Sequence, residues 1–315
     1  MPIDIKQIES FLMGITPGLL GLSDIRSLKI VDMQQGSYNL NFHVIINARD
    51  FNFRVNIEQQ SGLYNQIEYE FRALKFLEDH GVAPKAFLFD DTCKYFKFAV
   101  MVQEFIDGKH LTLEREDVYS AAELLAKLHS LNPSGQSFIK WDDPLQNTYS
   151  FVCNDITTYA SKKTHNNTTL SLAKRLYEKM SPLVREFAPL FRPDSLNHTD
   201  VSLDNFIASD HGLRLIDWEK PRVDDASYDI CCFLSAPAEL WCARQTLDVD
   251  EREAFIEAYA DLSGHNAQRL KDKVRIREPL VSLHWILWGA TKLCDLEESA
   301  TAPELVQAHS EKTIR

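Results

Sequence analysis

Eight consecutive residues, His198-Thr199-Asp200-Val201-Ser202-Leu203-Asp204-Asn205, put a carboxylate at Asp200 five positions ahead of a side-chain amide at Asn205. A second carboxylate, Asp217, ends the short apolar run Leu213-Arg214-Leu215-Ile216. Phosphoryl transfer to a hydroxyl needs such a set: one carboxylate to take the proton of the attacking group, and oxygen ligands to hold magnesium against the phosphates. Asn205 and Asp217 supply hard oxygen donors, which suit Mg²⁺ better than a soft metal. Asp200 is then the proton acceptor, and His198 is more simply a residue that braces the loop.

Those groups need a scaffold that returns the chain on itself. Phe206-Ile207-Ala208 and Leu213 to Ile216 are short β-like runs separated by Ser209-Asp210-His211-Gly212, a hairpin-turn composition. A hairpin brings Asn205 and Asp217 to neighbouring strand ends, where they can share one cation. Earlier in the chain, Tyr38, Leu40, Phe42, Val44 and Ile46 alternate with mostly polar neighbours, and Phe51, Phe53 and Val55 alternate with Asn52, Arg54 and Asn56. This period of two predicts a strand pair with one buried face and Arg54 on the other. Gln34-Gln35-Gly36-Ser37 precedes the pair as a turn whose backbone is suited to cover phosphates.

A helix follows from about Gly62 to His80, with Leu63, Ile67, Leu74 and Leu77 at helical spacing. Glu70 falls on the same stripe. A carboxylate on a core-facing line needs a cation, because burying it unpaired is costly, and Arg54 is the candidate. Phe96 to Phe105 is an apolar run suited to a buried strand, ended by the turn chemistry of Asp107-Gly108. Beyond Asp229 the chain reads as helical: Asp250 to Leu262 and Glu278 to Leu293 carry apolar residues at helical spacing, with a break at Ser263-Gly264. Trp241, Trp285 and Trp288 are either core or an aromatic cage for a cation. The Ser-, Thr- and Asn-rich stretch from Asn132 to Thr169 reads as an insertion or a surface excursion.

The loop at His198 resembles the H-x-D-x-x-x-x-N catalytic loop shared by protein kinases and by the aminoglycoside phosphotransferase and choline kinase group. Ile216-Asp217-Trp218-Glu219 is similar to the metal-binding strand end of the small-molecule group, not to the D-F-G of protein kinases. Met101 to Gly108, Leu124 to His129 and Asp225 to Ile230 resemble further segments of that group. The resemblance implies an α+β, bilobal protein-kinase-like fold. Residues 1–105 would form a nucleotide-binding lobe, an antiparallel sheet with one main helix, and 106–315 a larger, mostly helical lobe for catalysis and substrate. It implies ATP and Mg²⁺ as cofactors, Asp200 as catalytic residue, and Asn205 and Asp217 on the metal. Arg54 paired with Glu70 would order the phosphates, Gly36 and Ser37 would lie near them, and main-chain groups of Gln103 and Phe105 would meet adenine. The implied activity is transfer of the γ-phosphoryl group to a hydroxyl of an amino alcohol, aminoglycoside or sugar-like molecule. The alternative is a catalytically silent nucleotide-binding regulatory module. Three features depart from the pattern: Arg54 where protein kinases and many antibiotic kinases have Lys, although choline-kinase-like sequences resemble it in using Arg; a phosphate loop with a single glycine; and Thr199 with Asp204 where Gly is common.

Bulk composition agrees and excludes some classes. A formal charge of −12 argues against nucleic acid as a partner and allows a cationic acceptor. No apolar stretch approaches the roughly 18 residues of a membrane span. The start, Met1-Pro2-Ile3-Asp4, lacks the basic-then-apolar order of a secretion signal, and six scattered cysteines lack metal-ligand spacing, so a cytoplasmic location is expected.

Overall fold

The structure, a computed structural model, describes residues 3–36, 38–59 and 63–298; Ser37 lies outside them. The chain divides into two compact units, one of residues 1–109 and 207–221, the other of 110–206 and 222–315. No helix among the described residues is long and apolar enough to cross a membrane.

The first unit is built on a five-stranded sheet of β1 (Leu28–Gln35), β2 (Asn39–Ile46), β3 (Arg49–Asn56), β4 (Ala86–Asp90) and β5 (Ala99–Glu104), in the order β1-β2-β3-β5-β4. Every pairing is antiparallel. The alternation in β2 and β3 has the expected effect: Phe42, Val44, Phe51, Phe53 and Val55 fill one face. That core is closed by a helix absent from the sequence reading, α1 (Ile5–Gly14), which buries Ile8, Phe11 and Leu12 against it and is capped by Asp4. Each such side chain contributes about 1.5–3 kcal/mol on burial. The helix α2 (Gln66–Leu77) starts at Asn65, whose side chain accepts from Glu68 N, and packs on β4 and β5. Ile67, Leu74 and Leu77 are fully buried, and so is Glu70. The strands Phe206–Ser209 and Gly212–Leu215 form the expected hairpin, with Gly212 at φ +95° in its turn. Leu215 N donates to Val82 O at 2.8 Å, joining it to the sheet-bearing unit.

The second unit holds α3 (Arg115–His129), α4 (Pro144–Ser161), α5 (Asn167–Phe187), α6 (Ser227–Phe233), α7 (Ala236–Cys242), α8 (Val249–Ser263) and α9 (Ala267–Glu298). Two expectations change. The stretch 132–169 is no surface excursion: α4 carries Leu145, Val152 and Ile156 into a core shared with α5 and α9. Most of its polar residues face outward, Thr148 being the buried exception, and that outer surface masked the stripe beneath. The helix expected at Glu278 begins at Ala267 and runs through Pro279. Packing overrides the proline, because Arg277, two residues before it, is fully buried, binds Asp224 at 2.7 and 2.9 Å, and also donates to Thr148, Ser227 and the main-chain oxygens of Pro144 and Asp225. The break at Gly264 stands: it adopts φ +74° and ends α8, which begins with a capping box of Asp248 and Glu251.

Candidate active site

Arg54 organises the polar side of the first unit. It stands on β3 opposite Asn41 of β2 and Met101 of β5, on the face away from the phenylalanines. Its Nε lies 3.1 Å from Glu70 Oε2, its Nη2 contacts Asp217 and reaches Glu219 Oε1 at 2.7 Å, and its Nη1 reaches Asn41 Oδ1 at 3.4 Å. The sequence-derived partners Arg54 and Glu70 are thus brought together. The Arg54–Glu70 contact is one of charge: the Nε hydrogen is not aimed at the carboxylate, and neither Glu70 oxygen has a hydrogen-bond partner among the described residues. Burial pushes the Glu70 carboxyl up to about 7 from an ordinary 4.5, against the pull of Arg54. Burial also opposes the charge on Arg54, but Glu70, Asp217 and Glu219 outweigh it and hold the guanidinium pKa above its usual value.

Asp217 sits at φ +68°, a left-handed conformation uncommon outside glycine. The residue after it explains how the turn is held. Trp218 is fully buried and its Nε1 donates to Leu215 O at 2.8 Å, while Tyr69 donates to Pro221 O. With Trp218 inward, Asp217 and Glu219 project together towards Arg54, and Asn39 donates to Glu219. About a third of the Asp217 side chain is open to solvent, so its carboxylate can still accept a ligand. Sequence reasoning assigned no role to Glu219 or Asn39. The available signal was their spacing, since Glu219 shares a face with Asp217 once Trp218 is buried.

Gly36 closes the β1–β2 hairpin, its N–H donating to Asn39 O at 2.8 Å. That donor is engaged within the turn. Gln103 lies in the paired part of β5, opposite Asn52 on one side and Ala86 on the other, so its main chain belongs to the ladder. Phe105 follows the strand and stacks flat on His43, with centroids 3.8 Å apart and planes within 6°. Gly108 explains itself by contact: a Cβ there would clash with the main-chain oxygen of Ala208 and with the Ile207 side chain.

In the second unit, the loop carrying Asp200 is fastened by a buried carboxylate. Asp229 on α6 accepts from His198 N at 2.7 Å and Thr199 N at 2.8 Å. It also faces His129 Nε2 at 3.1 Å, and His129 Nδ1 meets the Tyr259 hydroxyl at 2.8 Å. Burial would raise the Asp229 pKa, but His129, His198 and the Thr199 N–H outweigh it and hold the carboxyl below its ordinary value. These bonds stabilise Thr199 at φ +77°, a strained conformation for a β-branched residue. Asn205 Nδ2 donates to Asp200 O at 2.8 Å, which ties the two ends of the loop and leaves Oδ1 as the amide atom suited to a cation. The Asn205 amide oxygen and the Asp217 carboxylate are each hard oxygen donors of the kind magnesium takes.

The short helix α7 packs on the turn Leu203–Asn205. It carries Trp241, which meets Trp288 edge to face at 6.2 Å; Trp288 meets Trp285 at 6.0 Å. All three are half-buried, outside the fully buried core.

Known structures share this fold across nearly the whole chain. A choline kinase from Streptococcus pneumoniae is 17% identical with a TM-score of 0.63, covering 98% of this chain and 97% of its own. A putative aminoglycoside phosphotransferase from Ralstonia eutropha is 12% identical with a TM-score of 0.68, covering 99% and 95%. An ethanolamine kinase from Plasmodium vivax is 15% identical with a TM-score of 0.64, covering 99% and 88%. No curated protein sequence matches significantly. The model of the phosphotransferase enzyme family matches residues 29–274, which include Arg54, Glu70, the Asp200 loop and Asp217. The chain belongs to the phosphotransferase enzyme family.

Proposed function

We propose that the protein transfers the γ-phosphoryl group of Mg·ATP to a hydroxyl of a small molecule. The observation that carries this reading is the buried Arg54 node, which ties the helix carboxylate Glu70 to Asp217 and Glu219. Such a node orients phosphates and a metal-binding carboxylate with one rigid guanidinium fork. Magnesium, when bound, neutralises charge on the phosphate oxygens; Asp217 and the Asn205 amide oxygen are the residues that would hold it. Asp200 orients the acceptor hydroxyl and takes its proton, on a loop whose backbone Asp229 holds in place.

The acceptor belongs to the amino alcohols, aminoglycosides or sugar-like molecules. Support comes from the acidic charge of −12 and from the half-buried Trp241 of α7, which packs on the Leu203–Asn205 turn, with Trp288 and Trp285 of α9 in contact behind it. The test is ADP formation over a panel of these acceptors, with Asp200→Asn alongside. The variant should bind Mg·ATP as the wild type does while turnover falls by about 10² to 10⁴. Equal turnover on the best acceptor would remove Asp200 from the mechanism. Nucleotide binding without ADP formation on any acceptor would favour a regulatory module.

A further inference from the structure

The helix α7 is anchored by an acid. Its seven residues are too few to hold a helix in water without packing, and its N-cap, Ser235, makes no side-chain capping bond. Its large apolar side chains do not fix it, since Leu240 is half exposed and Trp241 only half-buried. The single buried residue of α7 is Glu239, 2% exposed. Its Oε2 accepts from Leu247 N at 3.2 Å, tying α7 to the lead-in of α8. The other oxygen, Oε1, is sealed from solvent with no hydrogen-bond partner among the described residues.

The charged groups facing Glu239 are Arg252 and Glu251 of α8 and Glu278 of α9. Arg252 is engaged elsewhere: Nη2 lies 2.5 Å from Glu278 Oε1, and Nη1 donates to Leu234 O. On α6, which also packs against α7, Asp229 is turned to His129 and the Asp200 loop. Burial pushes the Glu239 carboxyl up to about 7 from an ordinary 4.5, and the pull of Arg252 and the Leu247 N–H does not offset it. A protonated carboxyl leaves one neutral oxygen unpaired, whereas an ionised one leaves part of a buried charge unpaired, which costs far more. The far end of α7 meets the loop chemistry: it packs on the Leu203–Asn205 turn, where Cys242 hydrogen-bonds with Asp204, the neighbour of Asn205.

We propose that Glu239 is a positioning residue: while its carboxyl holds a proton it seats α7, and with it Trp241, on the Leu203–Asn205 turn, and as the proton leaves, α7 loosens and the acceptor binds more weakly. The consequence for the acceptor rests on the phosphotransfer reading above; the seating of α7 does not. Because the folded-state value lies above the ordinary one, seating is tightest below about 4.5 and weakens as pH rises through about 7.

Amide hydrogen exchange over residues 236–242 of the full chain, set against Glu239→Gln at each pH from 6 to 8.5, reads the seating without nucleotide or acceptor. Glutamine keeps the shape of the protonated acid and cannot ionise. The wild-type rate relative to the variant should rise about tenfold between pH 6 and 8, as expected for a group at about 7, and a constant ratio overturns the proposal. Every other titrating group, Glu70 and the histidines included, is common to both proteins and leaves the ratio unchanged. In ADP formation with the best acceptor of the panel, the wild-type to variant ratio of acceptor KM should climb by up to about tenfold over the same range, while the ratios for kcat and for the KM of ATP hold. An acceptor KM ratio that stays flat overturns the link to the acceptor. If the exchange ratio rises and no acceptor is phosphorylated, the seating of α7 stands and the phosphotransfer reading falls.

Discussion

Arg54 shows why an arginine, and not a lysine, suits this position. Its fork sends Nε to Glu70, Nη2 to Asp217 and Glu219, and Nη1 to Asn41, directions that a single ammonium cannot serve together. One cation among three carboxylates leaves Glu70 the least satisfied, since neither of its oxygens has a hydrogen bond among the described residues. Its carboxyl is raised to about 7 in the folded protein against 4.5 ordinarily, so the folded state holds a proton that the unfolded state releases between those values. The stability from that proton is complete below about 4.5 and is lost as pH rises through about 7. Thermal midpoints of wild type and Glu70→Gln between pH 4.5 and 8 check the point. The wild type should lose several degrees more than the variant across that window, and parallel curves would show that Glu70 does not titrate there.

At the scale of elements, two strained turns present the chemistry, and each is held from behind by a buried side chain. Asp217 at φ +68° is fixed by Trp218 and its bond to Leu215 O, and Thr199 at φ +77° by the two bonds to Asp229. Replacing Asp229 by Asn puts an amide NH₂ where one of two backbone N–H groups needs an acceptor. The expected loss is about 1–3 kcal/mol of stability together with a fall in turnover, while nucleotide affinity, which the proposed function assigns to Arg54 and its partners, should change little. Denaturant melts paired with nucleotide titrations measure both. Unaltered turnover in a folded Asp229→Asn protein would show that Asp200 does not depend on this anchor. The hairpin carrying Asp217 could be read from Ser209 to Gly212, because turn residues act locally. The helix α4 was hidden, because its buried stripe of Leu145, Val152 and Ile156 is diluted by Ser, Thr and Asn on the outer face.

For the whole molecule, the expected ligands provide the check. A nucleotide with magnesium at about a hundred times its dissociation constant should add about 2.7 kcal/mol to stability. The same nucleotide with a chelator should add less, because Asp217 then faces the phosphates without a cation between them. Equal shifts with and without magnesium would remove the metal role of Asp217 and Asn205. Much of the arrangement behind this was legible beforehand: alternation in β2 and β3 fixes which residues share a face, so Arg54 had to stand apart from the phenylalanines, and helical spacing put Glu70 on a buried line. The sequence by itself determined the chemical groups, their order and the local turns, since those depend on neighbours a few residues away. Only the tertiary structure decided that Arg54 also meets Asp217, 163 residues on, and Glu219. It likewise decided that Gly36 uses its N–H within its own hairpin, that Asp229 holds the Asp200 loop, and that the Gln103 carboxamide oxygen has no hydrogen-bond partner among the described residues. Contacts across such separations are set by packing, and no local spacing records them.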